Sequence, residues 1–316
     1  MKTESHASSA PAITSAITAS SAARTTAVPV PATPLPTASD ATPTVQLHAR
    51  GAGPRTPLRY KFLPGQIERV KLVQGGTVVV ESAGKKTAVP NVPDIEVAIV
   101  LKVLAIDPEG GAKRELSLER IGLAGAQGLD DKIRHLLGPG FDALKNLSGH
   151  DAIDAAGRLR SLKIDVGPIV GPEGRLLDKI RQSFAQMAVP FPDEPIGLGA
   201  RWTVRSGFDL QDMKVQQAAT YELIELKGNT GRAKVRLTQH AGRGALTARR
   251  MPAGMQSAEL LGMRGRGEGD VSFDLTRSVP EGEIKTQIGL EMRTVTNGKQ
   301  QDTKVEVEMR NRFTRE

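Results

Sequence analysis

The chain has 316 residues, a formal net charge of +8 and no cysteine. The lack of cysteine excludes disulfides, thiolate zinc sites and cysteine nucleophiles. The basic balance permits contact with acidic polymers or anionic surfaces, although a solvated surface with more arginine than glutamate explains it more simply.

The N-terminal segment, residues 1–56, is dominated by Ala, Ser, Thr and Pro, and closely spaced prolines between Pro29 and Pro36 favour an extended chain. This composition cannot bury enough apolar surface to offset the entropy lost on ordering, so a disordered tether is expected. The start of the chain lacks the apolar stretch of a secretory signal. No run of about 18 apolar residues occurs, so no transmembrane segment is expected.

Alternating apolar and charged residues predict strands in the first half of the remaining chain. The alternation begins at residues 58–62 and continues at 69–72. Residues 95–106 are apolar on both faces, which indicates a central strand. The sequence Asp-Pro-Glu-Gly-Gly at 107–111 predicts a turn, and residues 115–119 predict the returning strand of a long hairpin.

The middle of the chain shows helical spacing. Short helical segments are expected at 133–137 and 141–147, and a longer amphipathic helix is expected at 172–188, where a proline suits the first helical turn. Between these segments, residues 153–159 predict a hairpin.

Period-two alternation returns after residue 189. A turn is expected at 228–231, and Asn297-Gly298 is the strongest hairpin dipeptide in the chain. The predicted strands cover residues 221–226, 232–237, 271–276, 284–293 and 304–313.

These elements predict a mainly β fold with a few helices. We expect a large curved antiparallel sheet, of the half-barrel type found in lipid carriers, with a two-sheet β-sandwich as the alternative. The globular part is expected over residues 57–316. A weak echo between 57–170 and 189–316 suggests two similar halves joined by the helix at 172–188, although chance similarity between hairpins explains the echo as well.

Two phrases of the sequence resemble a known family. Tyr60-Lys61-Phe62-Leu63-Pro64-Gly65 fits the pattern Y-x-F-x-x-G, and residues 191–202 fit F-P-x-x-P-[VI]-x-x-G-x-x-W. The two phrases resemble an uncharacterised family of bacterial predicted lipoproteins and secreted proteins, over about residues 58–313. The resemblance implies a β-rich extracytoplasmic protein and transfers no catalytic or binding residue. Because this chain shows no signal peptide or lipid-modified cysteine, a cytoplasmic location is the alternative.

No motif predicts catalysis, so we expect no enzymatic activity, no cofactor and no metal. The run Gly265–Gly269 has the wrong spacing for a dinucleotide fingerprint and predicts a flexible hairpin tip. The His150–Asp154 stretch is the only metal-like grouping, but aspartates beside a turn commonly serve turn geometry. Asp193 and Glu194 are adjacent and would point to opposite faces of an extended chain, so a shared proton is not expected.

Two sets of residues suggest contact surfaces. A possible wall of an apolar groove consists of Trp202, Phe184 and Met187, although a core anchor is the simpler interpretation of Trp202. A possible basic contact surface consists of Arg243, Arg249, Arg250, Arg264 and Arg266. No aromatic residue lies between 243 and 266, so specific nucleic-acid binding is not expected.

The leading functional hypothesis is a non-enzymatic cell-envelope protein that acts by contact with an envelope protein or a lipid. The alternative is a carrier of an apolar ligand, such as a lipid or a lipoprotein acyl chain. An apolar cleft of about 300 Å³ or more would favour the carrier.

Overall fold

Antiparallel β-sheet dominates the structure, as the alternation of the sequence predicts. The structure is a computed structural model that describes residues 43–89, 93–124, 141–142, 144, 147–165, 187–210, 213–246 and 255–316. The first eight strands are β1 Thr44–Ala49, β2 Ala52–Thr56, β3 Ile67–Ser82, β4 Lys85–Val89, β5 Ile95–Ile106, β6 Ala112–Leu123, β7 Ser148–Ile153 and β8 Leu159–Asp165. The others are β9 Ile196–Leu198, β10 Arg201–Leu210, β11 Met213–Lys227, β12 Thr230–Ala241, β13 Gly244–Leu246, β14 Met255–Asp274, β15 Glu281–Thr296 and β16 Lys299–Arg315.

One sheet of 14 strands contains all of these except β2 and β9, which pair with each other. Its order is β1-β10-β11-β12-β14-β15-β16-β3-β5-β6-β7-β8, with β13 added to β14 and β4 added to β3. The mainly β, antiparallel fold is therefore confirmed, and a single continuous sheet takes the place of the two-sheet alternative. Strands from the two halves of the chain lie side by side and meet where β16 pairs with β3.

The sheet is strongly curved. The curvature is shown by strands far apart in its hydrogen-bonded order, which contribute side chains to the same core. Val103 and Ile153, from β5 and β7, lie in the same buried cluster as Val235 and Phe273, from β12 and β14. We name the strands β5, β6, β7 and β8 the first arm of the sheet, and β10, β11, β12 and β14 the second arm. The strands β15, β16 and β3 separate the two arms in the hydrogen-bonded order. The arms therefore fold toward each other on the inner face of the sheet.

The segment at residues 57–66 bridges the two arms. Leu58, Tyr60 and Phe62 are buried, as the alternation predicts. The segment is not a ladder strand, however. The Tyr60 amide donates to the Ala155 carbonyl at 2.7 Å, in the turn between β7 and β8, and the Lys61 amide donates to the Leu275 carbonyl at 2.6 Å, after β14. The strand expected at 58–62 is thus an extended plug that lies across the core.

Strands occur earlier in the chain than the composition predicts. The strands β1 and β2 lie within the expected tether of residues 1–56, which is therefore wrong for residues 44–56. Val45 and Leu47 are half-buried against the central core, whereas their neighbours in β1 are exposed. The Pro- and Ala-rich residues before them concealed this short alternation. Residues 1–42 lie outside the described part.

The predicted helices fall mostly outside the described residues. Residues 133–137 and 172–186 are not described. Phe141, Asp142 and Leu144 are helical, in agreement with the spacing at 141–147, and residues 187–188 form a bend. The hairpin predicted at 153–159 is confirmed, since it joins β7 to β8.

The glycine run at 265–269 lies in the middle of β14, so the predicted hairpin tip is wrong. Gly265, Gly267 and Gly269 alternate along the inner face of this strand. A Cβ on Gly269 would lie 2.1 Å from the Glu283 carbonyl oxygen, and one on Gly267 would lie 2.7 Å from the Lys285 carbonyl oxygen. The close approach of β15 leaves no room for side chains there, which explains why glycine recurs.

We expect Gly269→Ala to destabilise the protein by about 1–3 kcal/mol, because the added methyl group forces β14 away from β15. Gly289→Ala on β15 is the matched control, since its Cβ would meet nothing closer than 4.0 Å. Urea unfolding followed by circular dichroism measures both. Equal stabilities of the two variants would contradict the close packing of β14 against β15.

Candidate functional site

A cluster of aromatic side chains fills the centre of the curved sheet. It consists of Tyr60, Phe62, Phe191, Trp202, Tyr221 and Phe273. Trp202 stacks on Tyr221 with a centroid separation of 5.4 Å, and Phe191 meets Phe273 edge to face at 5.0 Å. Burial raises the pKa of Tyr221 to about 12. The aromatic cluster joins the sequence phrases at residues 60–65 and 191–202.

The residues proposed as an apolar groove wall do not form one in the described structure. Trp202 is 0 % exposed, and its indole N–H donates to the Pro190 carbonyl at 2.8 Å, so the ring is a core anchor. Met187 is buried in a neighbouring core cluster. Phe184 lies outside the described residues.

Buried polar groups hold β6 to β7 and the plug to the backbone of Val189. Arg114 and Asp151 form a two-pronged ion pair, with N···O distances of 2.8 and 2.6 Å, and each side chain is at most 2 % exposed. Burial alone would lower the pKa of Arg114, but the charge and hydrogen bonds of Asp151 raise it above its ordinary value. The Tyr60 hydroxyl donates to the Val189 carbonyl and accepts from the Val189 amide. These groups are closed to a substrate.

The metal-like stretch has other partners. Asp151 forms its ion pair with Arg114. Asp154 accepts hydrogen bonds from the Ala156 and Arg158 amides and from the Arg158 side chain. Within the described ranges, no group of three His, Cys, Asp or Glu side chains is arranged to hold a metal. Asp154 therefore shapes the β7–β8 turn, as turn chemistry predicts.

Asp193 and Glu194 do not act as a pair. Asp193 binds Arg158 through both carboxylate oxygens, at 2.9 and 3.0 Å, and contacts Arg59 at 3.3 Å. Hydrogen bonds from Arg158 hold the pKa of Asp193 below its usual value. The carboxylate thus ties the segment after Val189 to the plug and to the β7–β8 turn.

A cleft of about 660 Å³ crosses β14, β15, β16 and β3. It exceeds the volume expected of a carrier, but its lining is charged. Three cationic side chains, Arg266, Lys285 and Arg310, face three carboxylates, Asp94, Glu268 and Glu308. Arg310 pairs with Asp94 at 2.9 Å. The formal charges of these six side chains balance.

The inner face of the same strands carries a different surface, which we name the apolar strip. It consists of Ile288, Leu290, Val305, Val307, Val78 and Val80. Two cross-strand rows form it: Ile288 opposes Val307, which opposes Val78, and Leu290, Val305 and Val80 repeat the arrangement one row further along.

All six side chains of the apolar strip are half-buried rather than buried. Ile288 and Leu290 pack at the edge of a third core cluster, formed by Met213, Val215, Ala241, Leu260 and Met263. The four valines belong to none of the core clusters of the described residues. The strip is therefore apolar sheet surface that the described core leaves incompletely covered.

A second cavity, of about 250 Å³, lies beside the third core cluster. Its lining includes the apolar side chains of Met213, Leu246 and Leu260 together with Lys214 and Arg243. Arg243 also binds Glu259 at 2.7 Å.

The proposed basic surface is only partly described. Arg264 and Arg266 are exposed on the same face of β14, opposite the buried side of that strand, and Arg266 approaches the Gln287 amide oxygen at 3.3 Å. Arg243 lies between β12 and β13, at the second cavity. Arg249 and Arg250 lie outside the described residues.

Sequence reasoning missed the apolar strip. Its signal is present in Thr77-Val78-Val79-Val80, where apolar residues continue the alternation of β3 beyond Leu72, and in Val305 and Val307 on β16. The register that places these residues together joins strands more than 200 positions apart in the chain, as in the pairing of Val78 with Val307. Local periodicity carries no information about that pairing.

No family model matches the chain, and no curated protein matches its sequence. The family resemblance and the extracytoplasmic location therefore stay predictions. Among the described residues, no helix is long and apolar enough to cross a membrane.

We expect Asp151→Ala to cost about 3–5 kcal/mol of stability, because it leaves the buried Arg114 guanidinium without a counter-charge. Asp302→Ala is the control, since it breaks the exposed Arg293–Asp302 pair instead and should change stability little. Chemical denaturation compares the two. A small loss in both variants would contradict the role of the buried pair.

Asp193 should contribute to the pH dependence of stability. Its pKa is lowered in the folded state, so its contribution is present above the unfolded pKa of about 4 and is lost as pH falls through the folded value. We expect Asp193→Asn to lower the thermal midpoint by more at pH 7 than at about pH 3. A difference that is the same at both pH values would contradict this assignment.

Proposed function

We propose that the protein binds an apolar ligand, such as an acyl chain, along the apolar strip. The observation that carries this proposal is the pair of half-buried cross-strand rows on the inner face of β15, β16 and β3. Apolar groups in that position gain free energy when a ligand removes them from water, at about 25 cal/mol per Å². Covering about 100 Å² of the strip would contribute about 2.5 kcal/mol.

The alternation of β16 supports binding on one face only. Val305 and Val307 point inward, whereas Glu306 and Glu308 are exposed on the opposite face. The inner face therefore offers aliphatic side chains to an apolar ligand, whereas the outer face carries ionic groups. This asymmetry favours apolar binding at the inner face over contact through the outer face, where the charges of the cleft are balanced.

The polar groups of the described core support binding rather than catalysis. Arg114, Asp151 and Glu68 are all buried, and each is held by partners inside the protein. Glu68 accepts hydrogen bonds from the Ser278 amide and hydroxyl, which fixes the chain after β14 against β3. These groups stabilise the fold and do not meet a bound ligand on the apolar strip.

We expect Val307→Gln to weaken the binding of a fluorescent long-chain fatty acid about tenfold or more, which corresponds to about 1.4 kcal/mol. The glutamine amide would lose water when the ligand covers it and would find no partner among the aliphatic side chains. Fluorescence titration measures the dissociation constant, and circular dichroism checks the fold.

The matched control is Glu306→Gln, which places the same side chain one position earlier in β16 and on the opposite face. It should bind the probe as the parent protein does. Equal binding by Val307→Gln, or no binding of the probe by the parent protein, would reject the proposed function.

A further inference from the structure

We infer that the ligand is a lipid with a neutral, hydroxylated polar end, which the side-chain amides of Asn311 and Gln74 hold. A fatty alcohol and a monoacylglycerol share this chemistry. The inference rests on the proposed function, because it extends the apolar strip along β16 and β3 to these two amides.

The half-buried inner face continues along β16 beyond the apolar strip. Asn311 and Met309 lie on the same face of this strand as Val307 and Val305, since alternate residues of a strand share a face. All four side chains are half-buried, so no buried residue interrupts the row. We name this row, together with the paired inner residues of β3 and β15, the lipid track.

Buried side chains bound the lipid track at both ends. Phe313 follows Asn311 on the inner face of β16 and is buried, and Thr303, on the other side of Val305, is 1 % exposed. Between Asn311 and Val305 the strand rises about 20 Å, at about 3.4 Å per residue. An extended long alkyl chain can cover this distance.

A pair of side-chain amides lies at one end of the lipid track. Gln74 Nε2 donates to Asn311 Oδ1 at 2.8 Å, across the pairing of β3 with β16. Within the described part of the chain, the Asn311 amide nitrogen and Gln74 Oε1 have no hydrogen-bond partner. The pair therefore offers a donor and an acceptor side by side, and rotation of both amides by half a turn leaves the same offer. A hydroxyl group can use both, because it donates one hydrogen bond and accepts others.

The lipid track has no charged group for an ionic ligand. It is formed by residues 74–80 of β3, 284–290 of β15 and 305–311 of β16. The charged residues of these stretches are all exposed on the outer face: Lys285, Glu306, Glu308 and Arg310. A carboxylate on the inner face would lose water without gaining a counter-charge, which is costly. The polar end of the ligand is therefore neutral.

The test compares three ligands with nearly the same hydrocarbon chain: dodecanol, dodecyl methyl ether and laurate. Each competes with the fluorescent fatty acid for the full-length protein. We expect dodecanol to bind about three- to tenfold more tightly than the ether, which lacks the O–H donor, and about tenfold more tightly than laurate, whose charge has no partner. A purely apolar surface would prefer the ether, because the ether is the more apolar ligand.

Two variants assign this preference to the amide pair. Asn311→Leu and Gln74→Leu each replace one amide by an apolar side chain of similar size. Each should weaken dodecanol binding about three- to tenfold and should not weaken binding of the ether or of laurate. Gln287→Leu, on the outer face of β15, is the control and should change the affinity for none of the three ligands. Circular dichroism checks the fold of each variant.

The outcomes separate the inference from the proposed function. Binding of the ether as tightly as dodecanol by the parent protein, or an equal loss of all three ligands in both leucine variants, would overturn the hydroxyl site and leave apolar binding in place. Binding of neither the fluorescent fatty acid nor any of the three ligands by the parent protein would overturn the proposed function itself.

Discussion

The packing of the aromatic cluster between the two arms is the interaction on which the rest of the structure depends. Each arm of the sheet has an apolar inner face that cannot be buried by its own strands. Tyr60 and Phe191 supply the missing layer, and their backbone amides reach the adjacent residues Ala155 and Ala156 in the β7–β8 turn. Buried aromatic pairs contribute about 0.5–1.5 kcal/mol each beyond their area, so the cluster stabilises the curvature as well as the core.

The position of this cluster also decides where the surface is left open. The aromatic cluster fills the space between the arms, but it does not include the half-buried aliphatic residues of the apolar strip on β15, β16 and β3. At the same level, alternate glycines on β14 allow β15 to approach closely. The proposed binding surface is therefore the part of the inner face that lies beyond the aromatic layer, and its chemistry follows from the aliphatic residues of three strands.

Local sequence signals predicted the elements whose structure depends on neighbours in the chain. The alternation at 95–106 and the Asn297-Gly298 dipeptide predicted β5 and the β15–β16 turn, where both turn residues have positive φ. The same reasoning was wrong where distant contacts decide the outcome. Leu58–Phe62 alternates like a strand but lies between two turns as a plug. Trp202, by contrast, is the core anchor that the sequence favours over a groove wall, because the folded sheet brings Phe191 and Tyr221 onto its ring.

The pairing of β16 with β3 has a consequence for how the protein is made. During synthesis β3 leaves the ribosome early, whereas its neighbour β16 emerges after every other described strand. Until then β3 has an unpaired edge and uncovered valines, a combination that promotes association between nascent chains. Long-range pairing of this kind also slows folding. The central strand of the apolar strip is thus the last to be added, so the strip and the complete sheet form in the same final step.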